Sequence, residues 1–412
     1  MSPTGAPALP RTVSERKIVF LLAAVQFVNI LDFMIVMPLG PDFATALAIP
    51  TSRLGLVAGS YTASAAVAGL LGALFLDRFD RRKALAVAML GLVAGTASAA
   101  FASTLGGLVG ARVLAGAFGG PATSIAYAIL TDAIPAERRG RAMGAVMGAF
   151  SAASVLGVPA GLELATIGGW QAPFLAVALL GLLVGGAVFL ALPPLKGHLA
   201  QAENVDASES PGLRPALLAD GKVRLSFLGT LVTFVSTFAL VPNLATFIQY
   251  NLGYPRERLS LLYLVGGMVS FGAMRLAGRL VDSRGPLPVV WFGSLTFALL
   301  ISGGFIPERT PIPVMVIFVG FMLANSARTV AYNTLASKIP APAVRARFMS
   351  GQSAVQHVAA ALGAFLSSLL LRERPDHGLS GMPAVAVLSL VLVLTLPFIV
   401  RAILRRLPPA GS

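Results

Sequence analysis

Twelve runs of largely apolar residues follow one another along this 412-residue chain, and no other feature restricts its fold as strongly. They cover 17–39, 53–75, 84–103, 106–131, 142–164, 170–192, 224–250, 259–281, 287–306, 312–337, 346–371 and 381–404. Each is close to the roughly twenty apolar residues a helix needs to cross about 30 Å of hydrocarbon. They are too long and too rich in Leu, Ala and Gly for barrel strands, which alternate over about ten residues. Only 12% of the residues are charged, against 56% hydrophobic, whereas soluble domains carry roughly a quarter charged residues. The expected fold is therefore an all-α integral membrane protein, its 43 glycines suited to close helix packing.

The runs are organised around one charged turn, Asp77-Arg78-Phe79-Asp80-Arg81-Arg82-Lys83, too polar to lie in hydrocarbon. A related turn, Gly278-Arg279-Leu280-Val281-Asp282-Ser283-Arg284-Gly285, places Asp282 205 positions after Asp77. Ala126-Tyr127 recurs as Ala331-Tyr332 and Ile134-Pro135 as Ile339-Pro340 at the same offset, and Arg139-x-Arg141 as Arg345-x-Arg347 one position later. Landmarks repeating in one register indicate a duplicated unit. The predicted organisation is a six-helix bundle over 1–192, a Pro- and charge-containing linker over 193–221, and a second bundle over 222–412.

The net charge of +14 suggests nucleic acid, but its distribution argues for topology instead. With the N-terminus inside, 22 of the 31 Lys and Arg fall on the cytoplasmic face and 6 on the opposite one. That asymmetry is the positive-inside pattern, with both termini cytoplasmic. No cysteine is present, which excludes thiol chemistry. Residues 1–16 carry no cleavage-site pattern, so the first run reads as a retained helix.

Gln26, Asn29 and Phe33, with Asp32 beside them, form a polar and aromatic stripe on the first span. Asp32 sits about 21 Å into the membrane, and Arg112 on the antiparallel fourth span falls at matching depth. The pair is either a structural tie between spans one and four or a carboxyl that exchanges a proton beside an arginine. Asn325, Arg328 and Tyr332 share one face of span ten, where Arg328 either faces a cavity or snorkels to the interface. Gln352 and Gln356 form a further polar face, and Tyr127 and Tyr332 occupy equivalent positions as cavity walls or packing residues. Asn243 and Tyr250, at the outer third of span seven, join Gln26, Asn29, Phe33, Tyr127, Asn325, Arg328, Tyr332, Gln352 and Gln356 as the expected substrate-cavity residues. His357, near mid-depth, is the one rival titratable group, and Arg275 groups with the loop charges.

Ala73-Leu74-Phe75-Leu76-Asp77-Arg78-Phe79-Asp80-Arg81-Arg82 resembles the G-x-x-x-D-R-x-G-R-R/K signature of the major facilitator superfamily, with Ala73 and Asp80 in place of its glycines. The second turn keeps both, at Gly278 and Gly285. Arg112 resembles the buried arginine of the superfamily's proton-coupled antiporters, and Leu31-Asp32-x-x-Ile35-Val36 is similar to their span-one motif. Gly157-Val158-Pro159-Ala160-Gly161 looks like a degraded form of the exporters' span-five motif. The resemblance implies two pseudo-symmetric six-helix bundles around a central cavity, a monomer in the bacterial inner membrane, and no cofactor. It also implies a conformational latch built from Asp77, Arg78, Arg81, Arg82, Gly278, Asp282, Arg284, Arg139 and Arg345, in which Asp77 meets the start of span eleven.

The function expected is secondary transport by alternating access: proton-coupled export of a small amphiphilic or drug-like molecule. No ATP-binding signature is present. Phe27, Phe33, Met34 and Met37 offer soft apolar surface for such a substrate. A sugar or amino-acid exporter of the same fold, a lipid-handling transporter and a non-transporting receptor are the alternatives. An enzyme is disfavoured, since no span carries His, Asp and Glu at catalytic or metal-binding spacing.

Overall fold

The computed structural model describes residues 14–195, 220–307, 310–340 and 345–406, apart from the side chains at 73–75, 77, 136, 137, 140, 345–347 and 350. Within these residues lie twelve helices long and apolar enough to span a membrane. They are, in order, Glu15–Ile35, Thr51–Gly72, Arg81–Ala100, Leu105–Ala133, Arg141–Gly168 and Gln171–Ala191, then Gly221–Asn251, Arg256–Arg284, Pro286–Phe305, Val314–Ser337, Gly351–Leu370 and Met382–Leu404. They are called spans one to twelve below. Of the expected linker, 196–219 lies outside the described residues.

Spans one to six pack mainly on one another, and spans seven to twelve do the same. The halves meet along two seams, span two against span eleven and span five against span eight. Spans begin and end at two faces. The face holding Glu15, the charged turns and Leu404 is called the basic face here, and the other the opposite face.

Small residues set how close the helices come. A Cβ at Gly116 of span four would overlap the Tyr61 carbonyl of span two, so only glycine permits that crossing. Span five widens into a π-turn at Ala153–Gly157 directly before Pro159. Proline lacks an N–H and its ring crowds the carbonyl four residues back, and a wider turn absorbs both defects. The π-turn is a three-way crossing: Gly157 faces Leu31 of span one, and Gly267 of span eight faces the Ser154 and Val155 backbone.

Two loop elements were not foreseen. After span one comes a short helix, Gly40–Leu47, with Pro41 and Asp42 in its first turn. Between spans eleven and twelve, Arg372–Glu373 pairs antiparallel with Leu379–Ser380 in a small hairpin.

Candidate functional site: a buried ion pair and a buried arginine

The stripe on span one packs against spans two, three and four. Asp32 is 0% and Arg112 1% exposed. Arg112 Nη1 donates to both Asp32 carboxylate oxygens, at 2.9 and 3.0 Å, and Nη2 to the Asp32 carbonyl at 3.3 Å. The Thr96 hydroxyl of span three donates to Asp32 Oδ1 at 2.7 Å. The guanidinium lies 4.6 Å from the Tyr61 ring centroid, and the Tyr61 hydroxyl donates to Asn29 Oδ1 at 2.5 Å. Asn29 Nδ2 reaches the Gly119 carbonyl and the Thr123 hydroxyl, each at 2.7 Å, and Thr123 donates to Gln26 at 3.1 Å. The network therefore joins four helices around one carboxyl group. Desolvated charges are tolerated in such surroundings only when paired and hydrogen-bonded.

The second half holds a different arrangement on the corresponding helices. Arg328 of span ten is 0% exposed. Nη1 donates to Ser236 Oγ at 3.1 Å, and Nη2 donates to Asn325 Oδ1 at 3.1 Å and to Thr237. Its guanidinium lies 4.2 Å from the Phe297 ring centroid. Arg328 does not snorkel to the interface. Its side chain leans toward the start of its helix, as helical side chains do. There it meets Thr237, sixteen residues or about 24 Å along span seven.

The remaining expected cavity residues divide by location. Tyr332 bonds Ser226 and, at 3.2 Å, Thr230, while Gln352 also bonds Thr230, so both are buried between spans seven, ten and eleven. Asn243 is buried and donates to Ser367 of span eleven at 2.9 Å. Tyr250 stands at the opposite face, 3.4 Å from the Thr45 hydroxyl. Tyr127, Gln356 and His357 are half-buried. Phe33 does lie between the halves, its ring 5.4 Å from Tyr61 and 5.9 Å from Phe238. Phe27 instead lines a 530 Å³ apolar recess with Phe20, Ala145, Gly148 and Leu180, at the outer side of spans one, five and six. Arg275 is exposed and stacks on Phe271 at 4.1 Å.

At the charged turn, Asp80 caps span three, accepting from Arg82 N at 2.9 Å and Leu195 N at 3.0 Å. An acidic cap does here what a glycine cannot. Arg81 pairs with Asp132, Arg82 donates to the Leu192 carbonyl at 3.2 Å, and Arg139 donates to the Ile134 carbonyl at 2.9 Å. Arg78, Asp282 and Arg284 are exposed, and Gly278 has open space around it. The Asp77 and Arg345 side chains lie outside the described residues, and with them the expected latch contact.

The opposite face carries contacts that the sequence did not reveal. Arg256 forks onto Asp42 across the halves, with Nε 2.8 Å from Oδ1 and Nη2 2.6 Å from Oδ2. Thr51 N donates to Glu373 at 3.3 Å and Thr51 Oγ1 to the His377 carbonyl at 3.2 Å, while Ser260 donates to Glu163. Every hydrogen bond between the halves among the described residues lies at this face. None of these residues belongs to a recognisable motif. Their only sequence signal is polarity in short connecting segments.

A model of the Major Facilitator Superfamily matches residues 22–364. A chloramphenicol resistance protein of Streptomyces lividans is 30% identical over 288 residues, which cover 67% of this chain and 71% of the relative. A purine ribonucleoside efflux pump of Salmonella paratyphi A is 26% identical over 270 residues, 64% of each chain. Among solved structures, a bacterial homologue of the human lysosomal transporter Spinster, inward-facing and occupied, superposes with a TM-score of 0.73 at 17% identity, covering 95% of this chain and 98% of its own. A D-xylose–proton symporter gives 0.73 at 17%, covering 92% and 97%. Twelve spans in two packed sets of six, with charges buried inside each set, define a multi-pass secondary transporter rather than an enzyme. The chain belongs to the Major Facilitator Superfamily.

Proposed function

We propose that this transporter exports a small amphiphilic organic molecule in exchange for protons, by alternating access between the two bundles, in a bacterial inner membrane with both termini cytoplasmic. One observation carries the coupling: Asp32 is the only acidic residue well inside any span, and it is bound on both oxygens by Arg112. Ionised, the carboxylate ties span one to span four. Protonated, it loses most of its hold on the guanidinium, and breaking a buried pair costs about 3–5 kcal/mol. Proton uptake therefore belongs to a conformation in which water or substrate compensates Arg112. That requirement links the proton to movement of span one. The two relatives named for chloramphenicol resistance and purine ribonucleoside efflux support export, and their substrates are the natural first probes.

The test uses purified protein in proteoliposomes with chloramphenicol as probe. Asp32→Asn keeps the shape of the side chain but cannot titrate. It is expected to abolish accumulation driven by a pH gradient while leaving counterflow exchange measurable. His357→Gln keeps the gradient response, and Arg112→Ala impairs both activities. Full coupling in Asp32→Asn would refute the assignment and redirect the search to His357.

A further inference from the structure

Among the described residues, the spans bury two guanidiniums completely and only one carboxylate. Arg112 has Asp32. Arg328 has Ser236, Thr237, Asn325 and the face of Phe297, all neutral, and at both arginines Nε is left without a partner. No other acidic residue lies well inside a span to serve it. A desolvated cation without an anion is among the costliest arrangements an interior can hold.

The internal repeat sharpens the point. Thr237 stands 205 positions after Asp32, at the offset that relates Asp77 to Asp282 and Tyr127 to Tyr332. At this register the first half answers its buried arginine with a carboxylate. The second half directs an arginine to the same register from span ten and supplies only a hydroxyl. Beside it, Phe238 lies 6.2 Å from Phe234 in a stacked pair and 5.9 Å from Phe33 of the other half.

Building on the export reading above, we propose that Arg328, with Ser236, Thr237 and Asn325, is an anion-recognition site. The transporter's substrates include molecules with an acidic group, which completes at Arg328 the pairing Asp32 completes at Arg112. Asn325 is half-buried and holds Nη2 through a neutral amide oxygen. An incoming carboxylate replaces that oxygen with a charge-assisted contact, roughly twice as strong. The neighbouring phenylalanines accept the apolar body, so the class of substrate is an aromatic or lipophilic acid.

The experiment is thermal unfolding of the purified full chain, titrated separately with benzoate, its neutral isostere benzamide, and chloride. A ligand that binds the folded state raises the melting temperature with concentration. Benzoate is expected to stabilise the protein and benzamide to leave it unchanged. Thr237→Asp supplies the missing carboxylate from within. It should raise the ligand-free melting temperature and weaken the response to benzoate by about tenfold or more. Arg328→Gln should remove the response, and Thr237→Asp keeps the question decidable if that variant does not fold. Stabilisation by chloride as strong as by benzoate, with chloramphenicol export insensitive to benzoate, would assign the site to an inorganic anion instead of a substrate group. A wild-type protein that responds to neither anion, or an unchanged benzoate response in both variants, would overturn the proposal. Because binding is read without a gradient, this result is independent of the proton-flux test on Asp32.

Discussion

Asp32 and Arg112 show what depth arithmetic can recover. Both are charged residues inside apolar runs on antiparallel neighbours, and a rise of about 1.5 Å per residue is enough to put them side by side. Thr96 and Tyr61 complete the pair and were not found, because a hydroxyl or a phenol in an apolar run carries no signal distinguishing a partner from a packing residue. The same limit applies in the other direction. Tyr332 reads as a cavity wall or a packing residue and Gln352 and Asn243 as cavity residues, and in the structure each hydrogen-bonds a neighbouring helix. Inside a membrane, polar side chains bond across helices as readily as they line a path, and sequence polarity cannot separate the two uses.

Helix lengths and positions were legible because each span is a long, compositionally uniform run. The features within them were less so. A π-turn leaves only Pro159 as a trace, and the short helix Gly40–Leu47 and the hairpin at 372–380 are too brief for periodicity to register. Helix crossings offer a direct check. Gly116→Ala places a methyl against the Tyr61 carbonyl, so it is expected to destabilise the protein by about 1–3 kcal/mol and lower its melting temperature in detergent. Gly110→Ala, on the same helix with open space around it, should be neutral or slightly stabilising through helix propensity. Equal effects at the two positions would mean that the crossing of spans two and four is looser than described.

Orientation is the first question for the assembled protein, and the chain's lack of cysteine makes it simple to ask. Single cysteines in place of Ser283 and Asp376, both exposed and on opposite faces, should be labelled from the cytoplasmic and the outer side respectively. The reverse pattern would invert every sided statement made for this transporter. The second question is how the halves part. The Asp42–Arg256 pair is partly exposed, so Asp42→Asn should weaken closure of that face by about 0.5–1 kcal/mol. Spin-label distances across the opposite-face ends of spans one and seven would then shift toward longer values. If Asp77 latches the basic face, Asp77→Asn shifts the same distances the other way. An unchanged distribution in both variants would reduce these charges to topology and solubility.

The placement of those contacts has a mechanical consequence. The two halves touch at mid-depth where Gly267 rests on the π-turn, and Arg256 lies eleven residues away on the same helix, a lever arm of about 16 Å. Rocking by about 10° about that fulcrum displaces the far end by about 3 Å. Hydrogen bonds weaken sharply once donor and acceptor stand more than about 3.2 Å apart. A tilt this small would therefore be enough to release the Asp42–Arg256 fork at the end of that lever.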